Sequence, residues 1–313
     1  MKYSFVIPCY NSSKTIEGVV REIEETMASI SDSFEIILVN DKSPDNTKDV
    51  IFSLAETRQN IKAVSFAKNF GQHSALLAGY RFSEGEYVIS LDDDGQTPAN
   101  QVSRLIDKLN EGYDVVFARY QTKHHSAFRN FGSRVNDYMA CTLIGKPKDL
   151  FLSSYFIAKR FVIDEMVKYR NSFPYISGLV LRTTSSIANV DVDHRSREIG
   201  TSGYTFRKLL MLWLNGFTAF SVKPLRIGAL AGAALAGIGL LICIYALFNK
   251  LTNPHAVVGW ASMMGVVTVI GGAILLMLGL IGEYLGRVYI SLNDSPQYVI
   301  RETKGIGKQD EKE

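Results

Sequence analysis

Two long stretches of this chain contain no Asp, Glu, Lys or Arg: Ile227 to Phe248 and Val257 to Gly282. Each is roughly 20 or more residues long, enough to cross a hydrocarbon core of ~30 Å as a helix. A buried helix of a soluble domain competes with that reading for a single run. Two runs in tandem, rich in Leu, Ile, Val, Ala and Gly, favour a pair of transmembrane helices over residues 225–283. Basic residues orient the pair. Arg207, Lys208, Lys223 and Arg226 precede the first run, and Arg287, Arg301, Lys304, Lys308 and Lys312 follow the second. The connecting segment, Asn249 to Ala256, offers only Lys250 and His255. Positive charge is retained on the cytoplasmic side, so both termini are expected there, with a short hairpin loop on the far side. Gly228, Gly232 and Ala236 recur every four residues on one face of the first helix. Such a stripe permits close packing within the hairpin or between subunits of a homo-oligomer.

Tyr204 to Val222 combines Phe206, Leu209, Leu210, Leu212, Trp213, Phe217 and Phe220 with Arg207 and Lys208. Basic and aromatic residues beside a span suggest a helix lying in the membrane interface, residues 204–224. A core helix of the soluble domain is the alternative. Residues 1–203 read as a soluble domain and 284–313 as a cytoplasmic tail. The net charge of +3 over 313 residues does not argue for a nucleic-acid partner. The three cysteines, Cys9, Cys141 and Cys243, form neither a disulfide framework nor a metal-type spacing. Met1 to Pro8 has one Lys and too short an apolar stretch for a signal peptide.

The soluble part alternates short β-rich runs with helical patterns. Tyr3 to Pro8 reads as a strand, and Ser13 to Ser29 as a helix with Ile16, Val19, Val20, Ile23 and Met27 at helical spacing. Phe34 to Asn40 is a near-continuous apolar run of the buried parallel type. Asp45 or Asn46 caps the helix that runs to about Thr57. Ile61 to Phe66, Tyr87 to Leu91 and Val115 to Ala118 are further strands, with helices over Gln72 to Ser83 and from Pro98 to Asn110. This alternation predicts an α/β domain with a mostly parallel sheet flanked by helices. Ligands bind such sheets beyond the carboxyl ends of the strands. Four polar clusters fall there: Pro8-Cys9-Tyr10-Asn11, Asn40-Asp41-Lys42-Ser43, Lys68-Asn69-Phe70-Gly71 and Asp92-Asp93-Asp94. Neither a dinucleotide fingerprint nor a Walker A motif is present.

The acidic triplet follows the apolar run Tyr87 to Leu91 and precedes Gly95 and Gln96. Like charges this close repel, so a counter-charge is expected. A hard divalent cation held between carboxylates and a substrate's phosphates is the natural candidate; a solvated acidic turn is the alternative.

Val6-Ile7-Pro8-Cys9-Tyr10-Asn11, Val39-Asn40-Asp41-Lys42-Ser43-Pro44-Asp45 and Leu91-Asp92-Asp93-Asp94 together resemble the family 2 glycosyltransferases of GT-A fold. Asn69-Phe70-Gly71-Gln72, Asp92 to Pro98, Arg197 to Tyr204 and the two-span tail are similar to the polyprenyl-phosphate branch, which includes dolichol-phosphate mannosyltransferases and bactoprenol glucosyltransferases. The resemblance covers nearly the whole chain. It implies transfer of a sugar from a nucleotide-diphosphate donor to a polyprenyl phosphate, with Mg2+ or Mn2+, at the inner membrane of a bacterium. It implies that Pro8, Tyr10 and Asp41 hold the base and ribose. Asn11, Ser43, Lys68 and Asp93 belong to the same nucleotide-sugar clusters, and Gln96 faces the donor sugar. Asp94 would ligate the metal, and Asp92 would bind the ribose or a metal-bound water. Asp149 corresponds to a proposed catalytic acid preceding a short strand over Phe151 to Ile157. Arg197 and Ser202 match a loop that closes over the donor diphosphate and acceptor phosphate, and the basic cluster containing Arg129 is a second candidate for phosphate binding.

Two positions depart from the pattern. The usual Asp-Ala-Asp-Leu-Gln has Asp93 and Gly95 at its variable positions, so Asp93→Ala is expected to be tolerated. The usual Ser-Lys-Tyr is Ser202-Gly203-Tyr204, so a phosphate-facing Lys is missing and its role is expected to pass to Lys208, Arg195 or Arg197. A processive polysaccharide synthase would show a Gln-x-x-Arg-Trp motif, which this chain lacks, and more spans. A non-catalytic membrane scaffold would have no need of Asp41, Asp92 and Asp94.

Overall fold

The computed structural model describes residues 1–120, 141, 145–172, 174–193, 223–252, 259–293 and 296–307. Two units are distinguished, residues 1–210 with 294–313, and residues 211–293.

In the first unit, near-continuous apolar strands form the centre of an eight-stranded sheet. β1 (Tyr3–Cys9) lies between β2 (Phe34–Asn40) and β4 (Tyr87–Ser90), and β3 (Ile61–Phe66) adds beyond β2; all three pairings are parallel. Helices α1 (Ile16–Ile30), α2 (Thr47–Thr57) and α3 (Gln72–Arg81) make the crossovers. α4 (Val102–Asn110) leads to β5 (Val115–Tyr120). β6 (Phe156–Lys159) then inserts antiparallel between β4 and β5. α5 (Arg160–Val167) and α6 (Ile176–Thr183) follow, and β7 (Ile187–Val192) pairs parallel with β5. The strand order is β7-β5-β6-β4-β1-β2-β3, with one further strand outside β3.

Alternation along β1 sends Phe5, Ile7 and Cys9 to one face, where they join a core with Ile16, Val20 and Ile23 of α1, Ile51 of α2 and Leu105 of α4. α3 covers the other face, and Gly79 sets its distance. A Cβ there would stand 2.3 Å from a methyl of Val6 and 3.2 Å from one of Val39. Of the two capping candidates, Asn46 stands at the N-cap of α2 without a side-chain capping bond, and Asp45 Oδ1, one residue earlier, accepts the Thr47 amide at 3.2 Å and the Thr47 hydroxyl at 2.6 Å.

Two readings change. The short strand expected from Phe151 starts at Phe156 instead. The Phe151 amide is taken by the Asn189 side chain at 2.8 Å, so its backbone is not free to join the ladder there. The supposed tail contains the outermost strand, β8 (Ile300–Lys304), antiparallel to β3. Its approach is anchored: the Tyr298 ring stacks on Phe66 at 5.2 Å, and Gln297 Nε2 donates to the carbonyls of Tyr169 and Asn171 at 2.7 and 2.8 Å. Charged Arg301, Glu302 and Lys304 blunt this edge against further pairing.

The second unit holds α7 (Lys223–Thr252) and α8 (Trp260–Leu292). Leu225–Ile242 and Val269–Ile290 have mean hydropathies of 2.0 and 1.9, and none of either window is buried. A helix in a soluble core would be buried, so these apolar surfaces suit hydrocarbon. Of the small-residue stripe, Gly228 meets Met277, where a Cβ would lie 2.4 Å from the sulfur, while Gly232 has nothing within 4 Å. The interfacial helix expected at 204–224 falls on residues outside those described, except Lys223 and Pro224, which belong to α7.

Removing residues 297–313 strips β8 from β3 and leaves the Phe66 ring uncovered. We expect the detergent-solubilised truncated protein to melt about 5 °C or more lower, since 1 kcal/mol corresponds to about 2–4 °C in a domain of this size. An unchanged melting temperature would show that the strand adds nothing to the first unit.

Candidate active site at the carboxyl edge

The carboxyl ends of β1, β2, β3 and β4 bring the four polar clusters to one edge. Backbone amides in such loops need acceptors, because leaving a buried one unpaired costs about 1–3 kcal/mol. After β1, the amides of Tyr10, Asn11, Ser12 and Ser13 donate in turn to Asp93 Oδ2 (2.9 Å), Ser43 Oγ (3.1 Å), Thr47 Oγ1 (2.8 Å) and Asp45 Oδ2 (3.2 Å). This loop is therefore held by side chains and has no spare amide among these four for a phosphate. Asn11 takes a left-handed conformation, φ 61°, which Asn tolerates better than most residues. The Tyr10 ring stands out from the loop at 54% exposure, and Pro8 is buried in β1, opposite Val39.

Asp41 grips the loop after β3. Its Oδ1 accepts the Phe70 amide at 2.6 Å and its Oδ2 the Gly71 amide at 2.8 Å. Gly71 adopts φ 91°, a conformation that suits glycine. Burial pushes the Asp41 pKa up to about 6 against the pull of those two amides. Expected to hold base and ribose, Asp41 is 3% exposed and directs both oxygens at the loop; in this structure it builds the wall of the site. Ser43 works in the same way: its hydroxyl holds Asn11, and its amide donates to Asn40 Oδ1 at 3.0 Å. Lys68 is exposed, with its ammonium 4.9 Å from the centre of the Phe70 ring.

The three consecutive acids diverge in role. Asp92 Oδ1 accepts Gln72 Nε2 at 2.9 Å, and its Oδ2 accepts the Ser154 hydroxyl. Asp94 Oδ1 accepts the Gln96 amide at 3.1 Å across a turn in which Gly95 has φ 72°. Asp92, Asp94 and Gln96 are all partly exposed. Asp93 holds Tyr10; burial pushes its pKa up to about 6, against the Ser12 hydroxyl and the Tyr10 amide, with Asp92 and Asp94 adding to the rise. Ala, the substitution expected to be tolerated at 93, would remove this acceptor of the Tyr10 amide. Burial also pushes the Tyr120 phenol up to about 12, opposed by the Thr97 hydroxyl and reinforced by the charges of Asp92 and Asp94. It stays neutral beside the acids.

Asp92 and Asp94 are hard oxygen donors, the set that suits Mg2+ or Mn2+. Among the described residues no three His, Cys, Asp or Glu side chains form a ready cage. An ion at Asp92 and Asp94 would be held by one or two carboxylates and completed by substrate phosphates. Asp149 lies in an exposed turn, and no contact with the acids is seen. Arg129, Arg197 and Ser202 lie outside the described residues. The structure adds Gln72 and Ser154 to the site. Gln72 lay in a motif already noted, but nothing in the sequence marked Ser154, which reaches Asp92 because β6 runs back beside β4.

Residues 4–167 match the family described as glycosyl transferase family 2, and residues 223–288 match the GtrB C-terminal hairpin. The chain is 30% identical over 310 residues to undecaprenyl-phosphate 4-deoxy-4-formamido-L-arabinose transferase of Proteus mirabilis, covering 98% of this chain and 95% of that one. It is 29% identical over 307 residues to an uncharacterized glycosyltransferase, YkcC, of Bacillus subtilis, again covering 98% and 95%. Among solved structures, glucosyl-3-phosphoglycerate synthase from Mycobacterium tuberculosis, in complex with Mn2+ and uridine-diphosphate-glucose, superposes with a TM-score of 0.52 at 19% identity. The match covers 69% of this chain and 77% of that one, and it bears on the fold alone.

Asp41 yields a pH test. Its folded pKa of about 6 lies above the ordinary 3.8, so the folded state holds this proton more tightly than the unfolded chain. The residue's contribution to stability therefore falls as pH rises from about 4 to about 6 and is level beyond. Asp41→Asn does not titrate. The melting temperature of the native protein minus that of Asp41→Asn should fall across this window; a constant difference would contradict the buried carboxyl.

Proposed function

Because this chain belongs to glycosyl transferase family 2, we propose that it transfers one sugar, with inversion, from a nucleotide-diphosphate sugar to a polyprenyl phosphate at the cytoplasmic face of a bacterial inner membrane. The observation that carries this reading is the pairing, in one chain, of partly exposed Asp92 and Asp94 at the end of β4 with two apolar helices that match the GtrB hairpin. The relatives named as undecaprenyl-phosphate transferases support a lipid-borne acceptor.

Asp94 and Asp92 are the proposed ligands of Mg2+ or Mn2+. Such an ion supplies Lewis acidity against the charge that develops on the leaving diphosphate. Tyr10 takes the base, with Asp41, Asn11, Ser43 and the buried Pro8 shaping that wall. Lys68 and Gln96 are assigned to the donor's phosphate and sugar ends. Arg129, Arg197 and Ser202 are assigned to the phosphates, where Arg grips two oxygens at once. The acceptor phosphate is already anionic near neutral pH, its second pKa being about 6. It needs no base, so Asp149 orients the acceptor or balances an Arg.

Connectivity supports the topology. β1 to β7 precede α7, and β8 follows α8, yet all eight strands share one sheet. A hairpin of two spans returns the chain to the side it left, as the basic flanks of both helices also require. A reporter inserted between Asn249 and Ala256 is expected on the far side of the membrane and one at either terminus in the cytoplasm; the reverse pattern would refute this orientation.

Incubating the purified protein with polyprenyl phosphate, Mg2+ or Mn2+ and a panel of nucleotide sugars should yield one lipid-linked monosaccharide and nucleoside diphosphate. Asp94→Ala should lower turnover at least about 100-fold, the loss of ~2.7 kcal/mol of transition-state stabilisation. A polymeric product would favour a processive synthase, and no nucleotide release with any donor would favour a scaffold. Replacement of Asp149 by Asn that abolishes turnover, with recovery at raised pH, would overturn its positioning role.

A further inference from the structure

Four successive amides after β1 are each claimed by a side chain from another loop. Ser43, Asp45 and Thr47 all come from the segment that follows β2, so three of the bonds fasten the loop to its immediate neighbour. The fourth acceptor, Asp93, comes from the end of β4, between the two carboxylates assigned to the metal. Of these four bonds it alone ties the Tyr10 loop to the acidic loop. It also falls at the amide of the residue whose ring is 54% exposed. A rigid aromatic face offers a stacking surface with little side-chain entropy to lose. Its backbone is pinned on one side by Asp93 and on the other by Ser43 through Asn11, whose φ of 61° turns the chain sharply.

The carboxylates of Asp92 and Asp94 are engaged elsewhere, with Gln72 and Ser154 and with the Gln96 amide. On the assignment made above, a nucleotide sugar would span both loops, with its base at one and its diphosphate at the other. The separation between the two loops therefore sets how well it fits. Resting on the reading of the site given above, we propose that Asp93 is a positioning residue that holds the Tyr10 ring in register with Asp92 and Asp94, so that base and diphosphate engage together.

The test uses the full-length enzyme and uridine, guanosine and cytidine diphosphates with Mg2+, taking whichever binds the native protein most tightly. If none binds, the glycosyltransferase reading falls and this proposal with it. Asp93→Ala should weaken that diphosphate about ten-fold, the equivalent of ~1.4 kcal/mol. The KM of the donor should rise in step, with kcat within about two-fold. Asp93→Asn keeps an oxygen for the Tyr10 amide and should recover binding to within about three-fold of native. In a Tyr10→Leu background, Asp93→Ala should add less than about two-fold, because the two act through one contact.

An equal loss in both backgrounds would overturn the proposal, since Asp93 would then act without Tyr10. So would a collapse of kcat in Asp93→Ala that Asp93→Asn fails to restore, the behaviour of a metal ligand. Unchanged diphosphate binding in Asp93→Ala, with Asp94→Ala inactive, would sink the proposal and leave the glycosyltransferase reading standing. Should Asp93→Ala not fold, Asp93→Leu fills a similar volume without an acceptor and carries the same expectations.

Discussion

Backbone amides that leave a parallel sheet at its carboxyl edge must find acceptors, and in this protein acidic and hydroxyl side chains from neighbouring loops provide them. Asp41 takes two amides after β3, and Asp93, Ser43, Thr47 and Asp45 take four after β1. The same residue type thus does two kinds of work. Asp41 and Asp93 accept loop amides, and burial raises both pKa values to about 6. Asp92 and Asp94 take other partners, Gln72 and Ser154 for the first and the Gln96 amide for the second. A site assembled this way is preorganised, because its loops are held before any ligand arrives.

The second organising constraint is covalent. The chain leaves the sheet after β7, passes through two apolar helices and returns to add β8 beside β3. β8 therefore completes the catalytic unit only after both apolar helices have been made. Stacking of Tyr298 on Phe66 and the two Gln297 hydrogen bonds anchor the returning segment.

Much of the fold was legible. The apolar runs from Phe34 and Ile61 end where expected, at Asn40 and Phe66, because a strand buried on both faces has a composition that local sequence reports. β8 was not legible: Ile300-Arg301-Glu302-Thr303-Lys304 is mostly charged, as edge strands are, and its partner lies more than two hundred residues earlier. β6 was displaced from its expected start because Asn189, on another strand, captures the Phe151 amide. Ser154 carried no signal for the same reason, since its place beside Asp92 comes from the antiparallel return of β6.

By itself the sequence determined the classes of structure available: two helices too apolar for water, an alternating α/β domain, and acids at strand ends. These follow from local properties, namely hydropathy over one span, the period of side-chain exposure, and charge. Tertiary structure alone decided which acid does what. Asp92, Asp93 and Asp94 are chemically identical neighbours, and only the surrounding loops distinguish them, by offering Gln72 and Ser154 to the first, the Tyr10 amide to the second and a tight turn to the third. A carboxylate's role is set by the donors that reach it in space, and those donors come from parts of the chain that no local pattern connects.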